Sequence, residues 1–304
     1  MAVYKRRYNS YTGAVTREWS RFFVLTRYAF ADLFKSRFFV ILLILCFIPC
    51  LFFAGYIFVA NNKTVQLFMQ VRGNDLFKVE SEYFIVMLMA QTQAAFLLNC
   101  WVGPVLISGD LTNGALPLFL SRPFSRADYV LGKLSVLGLL LSAITWIPCL
   151  LLFGLQAGLA KDGWIWPHLW MVVPIVTCSA IWILMLSLIS LAVSAWVKLR
   201  IVATGVIFIA FFVPAGLGAM FNAIMGSRWG ALLNFWDLHR LIIAAGFRER
   251  PGMLGRGWDE IPVSAAWGSL VFVCLFALLI LNARLRARET VRAQEPAESS
   301  RFPE

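Results

Sequence analysis

The sequence predicts an all-α, polytopic membrane protein. It has six transmembrane helices, an amphipathic helix ahead of the first, and a short apolar helix in the loop between the second and third. Three observations carry this. Of 304 residues, 60% are apolar and 14% charged, where a soluble domain runs nearer half apolar and a quarter charged. Mean hydropathy is +0.76. Six apolar runs are each about 20 residues or longer with no charge in their interior, enough to cross about 30 Å of hydrocarbon. The basic residues behind the net charge of +11 sit beside these runs. They read as topology and headgroup signals rather than a nucleic-acid footprint.

Residues 1–37 form a basic N-terminal segment with eight Lys or Arg and no cleavable signal pattern. Within it, 16–37 reads as an amphipathic helix. Trp19, Phe22, Phe23, Phe30, Leu33 and Phe34 fall on one stripe, with Arg17, Arg21, Asp32 and Lys35 opposite. A basic-aromatic helix beside a span lies in the interface plane. The transmembrane domain, 38–281, places spans at 38–60, 83–108, 129–156, 171–197, 201–220 and 262–281, and a tail follows over 282–304. Trp164, Trp166 and Trp170 mark an aromatic belt in the loop before the fourth span. The longest loop, 222–261, carries Leu232, Phe235, Trp236, Ile242 and Ile243, which suggest a short interfacial helix. Pro49, Pro104, Pro148, Pro174 and Pro214 are positioned to kink spans.

Six spans put both termini on one side. With the N-terminus inside, inner segments hold 18 of the 27 basic residues. The bias places both termini, and the loop between spans 2 and 3, in the cytoplasm. The expected location is the cell (inner) membrane.

That loop is dense in local signals. Thr112-Asn113-Gly114 is a turn, since Asn and Gly tolerate positive φ. Ala115–Leu120 is a short apolar segment with Pro117 near its start. Ser121-Arg122-Pro123 breaks it, because Pro disfavours helix at the preceding residue. Ser125 is an N-cap for the next helix, and Phe124 and Tyr129 have the spacing of a hydrophobic staple. Leu116, Leu118, Phe119 and Leu120 need a cover, either lipid or another protein.

At these residues the chain resembles the ABC-2-type transporter permease family. The matching positions are Asp110, Gly114-Ala115-Leu116, Ser121-Arg122-Pro123, Ser125-Arg126, Tyr129 and Leu131-Gly132-Lys133. Asp110 stands where the family more often has Glu. The N-terminal helix, the six spans and the long last outer loop extend the likeness along nearly the whole chain. The resemblance implies the membrane permease subunit of an ABC exporter, with Ala115–Ser121 as a coupling helix on a separate ATPase subunit. It implies Asp110, Gly114, Leu116, Leu118, Phe119, Arg122, Pro123, Ser125 and Arg126 as the ATPase-coupling residues. The partners it implies are that ATPase, which would bind ATP-Mg, and a second permease chain, identical or paralogous, besides membrane lipid.

The residues themselves fit an outside energy source. No G-x-x-x-x-G-K-[ST] occurs, and Gly132-Lys133-Leu134 lacks both the upstream Gly and the Ser or Thr. The chain therefore carries no nucleotide site or cofactor of its own and is not read as an enzyme. No charge lies deep in a span, which argues against an ion-coupled carrier. His168 and His239 both fall on the outer side, as interfacial or packed residues. The six cysteines all lie in apolar runs, and Cys46 and Cys50 share a helix face either as small apolar residues or as a soft-metal pair. Gln91, Gln93 and Asn99 on span 2 and Ser187, Ser190 and Ser194 on span 4 line either a translocation pathway or a hydrogen-bonded helix contact. A second function class is a non-transporting subunit that relays ATPase motion through the 222–261 loop to an extracytoplasmic protein. A third is a membrane enzyme or channel acting alone.

Overall fold

In hydrocarbon a backbone must pair its polar groups with itself, so long apolar runs fold as helices. The computed structural model describes residues 21–68, 78–112, 126–160, 163–197, 199–249 and 261–299. Every regular element among them is helical. In order they are α1 (Arg21–Phe34), α2 (Arg37–Cys46), α3 (Ile48–Asn61), α4 (Lys63–Phe68), α5 (Ser81–Thr112) and α6 (Arg126–Ile144). Then come α7 (Trp146–Leu159), α8 (Ile165–His168), α9 (Val172–Trp196), α10 (Arg200–Met225), α11 (Phe235–Gly246) and α12 (Val263–Ser299). Short 3-10 turns precede α9, at Leu169–Met171, and α11, at Trp229–Leu233.

Six segments are long and apolar enough to cross a membrane: Arg37–Asn61, Ser81–Leu106, Tyr129–Leu159, Ile165–Trp196, Arg200–Met225 and Val263–Arg284. The first and third are each two helices end to end. At Phe47 the ladder tightens, with its N–H shared between Ile44 and Leu45 carbonyls, and α3 restarts with Pro49 in its first turn. The second break falls at Thr145, three residues before Pro148. A proline has no N–H to donate and crowds the preceding turn, so a helix start accommodates it best. Thr145 Oγ1 donates to Leu141 O at 2.8 Å beside the break. The fourth span starts at Ile165, inside the Trp-rich segment that reads as loop. There Trp164 stacks on His168 at 4.3 Å, and the two cover each other's apolar faces.

The second span is 67% buried and the fourth 61%, against 22%, 22% and 17% for the first, fifth and sixth. Helices α5 and α9 are thus the axis, and α2–α3, α10 and α12 form the outside. Side-chain bonds to opposed backbones tie the layers. Thr204 Oγ1 of α10 donates to Cys100 O of α5 at 3.1 Å, and Trp196 Nε1 of α9 donates to Ile280 O of α12 at 3.3 Å. Asn61 Nδ2 of α3 donates to Gln156 Oε1 of α7 at 2.7 Å. Helix α1 lies along α6, where Thr26 Oγ1 donates to Gly132 O at 3.4 Å and Leu33 is buried. Phe34 of the predicted apolar stripe is exposed, and Asp32 pairs with Lys35 on the open side.

After α10 the chain folds back on itself. A Cβ on Gly218 would stand 2.2 Å from Gly230 O, and one on Gly230 would stand 2.2 Å from Gly218 O. Only glycines allow this backbone contact, and Asn222 Oδ1 holds it by accepting from Gly230 N–H at 2.7 Å. The turn then delivers α11 into the bundle. The sequence reading puts a short helix here in the lipid interface. The helix is present but not interfacial, because Leu238, His239, Leu241, Ile242 and Ile243 are buried in the protein. Its apolar face finds α9 and α12 instead of lipid.

Candidate functional site

Of the residues assigned to ATPase coupling, Asp110 lies in the last turns of α5 and Arg126 opens α6. Gly114, Leu116, Leu118, Phe119, Arg122, Pro123 and Ser125 lie outside the described residues. The segment is therefore bracketed by α5 and by α6, which packs against α1. Lys133 lies one turn into the third span. It is buried, with its ammonium 5.6 Å from the Tyr129 ring centre, because α1 closes over this turn at Gly132.

The polar residues of α5 divide by face. Gln91 and Asn99 are fully buried. Gln91 Nε2 donates to Cys50 Sγ of α3. Asn99 Nδ2 donates to Ser190 Oγ of α9 at 2.6 Å and to Leu186 O at 3.5 Å. Around them α5 and α9 close tightly. A Cβ on Gly103 would meet Ser190 Cβ at 2.7 Å, Ser194 Oγ donates to Gly103 O at 3.3 Å, and Trp182 Nε1 donates to Thr92 O at 3.2 Å. Small residues that admit a close backbone and polar side chains that bridge it are how helices associate without a hydrophobic drive. Ser187 is also buried on this seam. Cys46 and Cys50 both turn toward α5, Cys46 Sγ lying 3.6 Å from Ala94 O. Among the described residues no group of three His, Cys, Asp or Glu is placed to hold a metal.

Gln93 is different. Two residues from Gln91, about 200° round the helix, it is exposed between Val86 and Leu97, which are also exposed. It sits midway along the second span. Beside it a groove of about 370 Å³ runs between α5 and α11, lined by Met89, Thr92, Gln93, Trp236, His239 and Arg240. The α11 wall is fixed at its start. Asn234 caps the helix, accepting from Trp236 N–H at 3.1 Å and donating to Asp237 Oδ2 at 2.8 Å. The Asn234-x-x-Asp237 spacing ahead of an apolar run is the sequence signal for this cap, and the sequence reading passes over it. Asp237 faces Arg240 at 3.7 Å. Burial raises its pKa, and Arg240, Asn234 and Arg228 pull against that rise.

His239 and Thr92 are buried polar residues of the groove. The His239 environment is the more unusual. The ring stacks on Trp182 at 4.5 Å, and Nε2 donates to Cys178 O at 3.1 Å. Burial pushes its pKa down to about 4, so the ring is neutral at pH 7. A base with a depressed folded-state pKa contributes stability in full above its unfolded value of about 6.5 and loses it as pH falls toward 4. The detergent-purified protein should therefore lose on the order of 3 kcal/mol of stability across that window, seen as a falling Tm. His239→Gln should flatten the profile. Asp237 acts in the opposite sense, since its raised pKa favours the protonated folded state at low pH, and it offsets part of the loss. The same pH profile of Tm in the native protein and in His239→Gln would contradict the buried neutral ring.

The chain is thus a six-span helical bundle closed around a polar α5–α9 axis. The family model described as ABC-2 family transporter protein matches residues 24–247. The chain belongs to that family. No protein of curated function matches the sequence. The match runs from α1 to the residue after α11 and leaves α12 beyond it. ABC-2 permeases are membrane subunits, not nucleotide-binding enzymes, and generally work with an ABC ATPase. This permease is accordingly a multi-pass membrane protein of an ABC transporter.

Proposed function

We propose that this permease is the membrane subunit of an ATP-driven exporter, coupled through residues 110–133 to a separate ATPase and working beside a second permease chain. Both termini and the coupling segment face the cytoplasm in this reading, in keeping with the 18 basic residues at that end. The observation that carries the transport reading is the exposed amide of Gln93 at the middle of a span. An amide left unpaired in hydrocarbon costs roughly 2–7 kcal/mol, so this face of α5 belongs on water or on another chain. Gln93 is then the pathway residue of the polar set, while Gln91 and Asn99 hold α5 to α3 and α9. The packing of α11 favours transport over mechanical relay, because its apolar side chains are already covered by the bundle.

Cysteine labelling tests the pathway. In the assembled transporter, Gln93→Cys should react with a water-soluble maleimide, while Phe272→Cys, at an exposed position of α12, should not. Equal protection of both from the reagent would contradict an aqueous face at Gln93. Substrate should slow labelling at Gln93 alone.

A further inference from the structure

A second groove, of about 450 Å³, lies on another side of the bundle between α9, α10 and α12. That is within the roughly 300–1,000 Å³ of small-ligand sites. Ala192 and Val193 form its α9 wall, Ala210 and Pro214 its α10 wall, and Phe272 and Ala277 its α12 wall. The lining is almost wholly apolar and the groove is open to the side. It extends along α12 from Phe272 to Ile280, about 12 Å at 1.5 Å per residue, which is most of one leaflet of a bilayer about 30 Å thick.

A charged residue lies just beyond the end of the groove where α9 stops. Trp196 lines that end, with its indole N–H committed to Ile280 O. Above the ring, 4.9 Å from its centre, lies the Arg284 guanidinium. Arg284 Nε is buried and has no hydrogen-bond partner among the described residues. A guanidinium presents five donors in a fixed fork that suits phosphate. Placed one turn beyond the groove at the end of the span, it sits at headgroup depth, where basic pockets between transmembrane helices hold anionic lipid.

We propose that this groove is a lipid site, holding one acyl chain of an anionic phospholipid with its phosphate on Arg284. The apolar trough takes the chain by close van der Waals packing against its three walls. The arginine selects the headgroup. The site is separate from the Gln93 face, and its test does not depend on ATPase coupling.

The purified full-length chain, equilibrated with equal amounts of phosphatidylglycerol and phosphatidylcholine, is examined by native mass spectrometry. The native protein should retain one tightly held lipid, favouring phosphatidylglycerol about fivefold, as one arginine near a membrane surface predicts. Arg284→Gln should keep the lipid and lose the preference. Ala210→Phe and Ala277→Phe, which fill the groove from two different walls, should each lose the lipid while the thermal transition persists. Equal retention of both lipids by the native protein would overturn the proposal, as would full retention in both Phe variants. A Phe variant that separates a two-chain species with its lipid unchanged would assign the groove to a second copy, and would overturn it too.

Discussion

Gly218→Val is expected to remove most of the folded protein, while Gly216→Ala on the same helix is nearly neutral. The contrast isolates one contact. At Gly218 any Cβ meets the Gly230 carbonyl oxygen at 2.2 Å, with the carbonyl carbon at 3.1 Å. Both are backbone atoms that cannot rotate away. At Gly216 a Cβ meets nothing within 4 Å. Overpacking a core costs about 1–3 kcal/mol when side chains can yield, and here a backbone segment must move. The displaced turn also surrenders the Asn222–Gly230 bond and shifts the entry of α11, whose buried Leu238, Leu241 and Ile242 depend on it. A loss of about 3 kcal/mol or more is expected. Gly216→Ala should change little or gain slightly, since Ala is the better helix former by up to about 1 kcal/mol. Thermal unfolding in detergent, with limited proteolysis at the turn, reads both. Equal behaviour of the two variants would contradict the account of this contact.

Spans were legible because a charge-free run has one stable solution in lipid. Six apolar spans were expected, and six helical segments are long and apolar enough to cross a membrane. The breaks at Phe47 and Thr145 were half legible, since Pro49 and Pro148 announce a kink but not how far upstream the ladder gives way. The placement of α11 was not legible. Its amphipathic pattern is satisfied equally by a lipid interface and by a protein groove, and only the glycine contact that turns the chain back decides between them. The polar set of α5 shows the same limit. Gln91 and Asn99, eight residues apart, fall on one helix face, and both are buried. Which face meets α9, and that Gln93 is left open, depends on how α5 sits in the bundle. The close fit of Gly103 to Ser190 is likewise a property of two helices at once.

The second large effect concerns assembly with the ATPase. Leu118 and Phe119 are apolar side chains in a short segment between two long helices. Docked on an ATPase, each would contribute about 1.5–3 kcal/mol of burial. Replacing both with glutamate removes that gain and adds the cost of burying charge. The affinity for the ATPase should therefore fall by at least about a hundredfold. The bundle itself should be untouched, so the variant's Tm and its elution as a single species should match the native protein.

The central claim is that the driving energy enters through this segment from another subunit. The most direct measurement is permease-dependent ATP hydrolysis by the purified complex, comparing the native chain with the Leu118→Glu, Phe119→Glu double variant. The account predicts that the variant no longer co-purifies with the ATPase and that hydrolysis falls to the rate of the ATPase alone. Full assembly and undiminished permease-dependent hydrolysis in the double variant would contradict it.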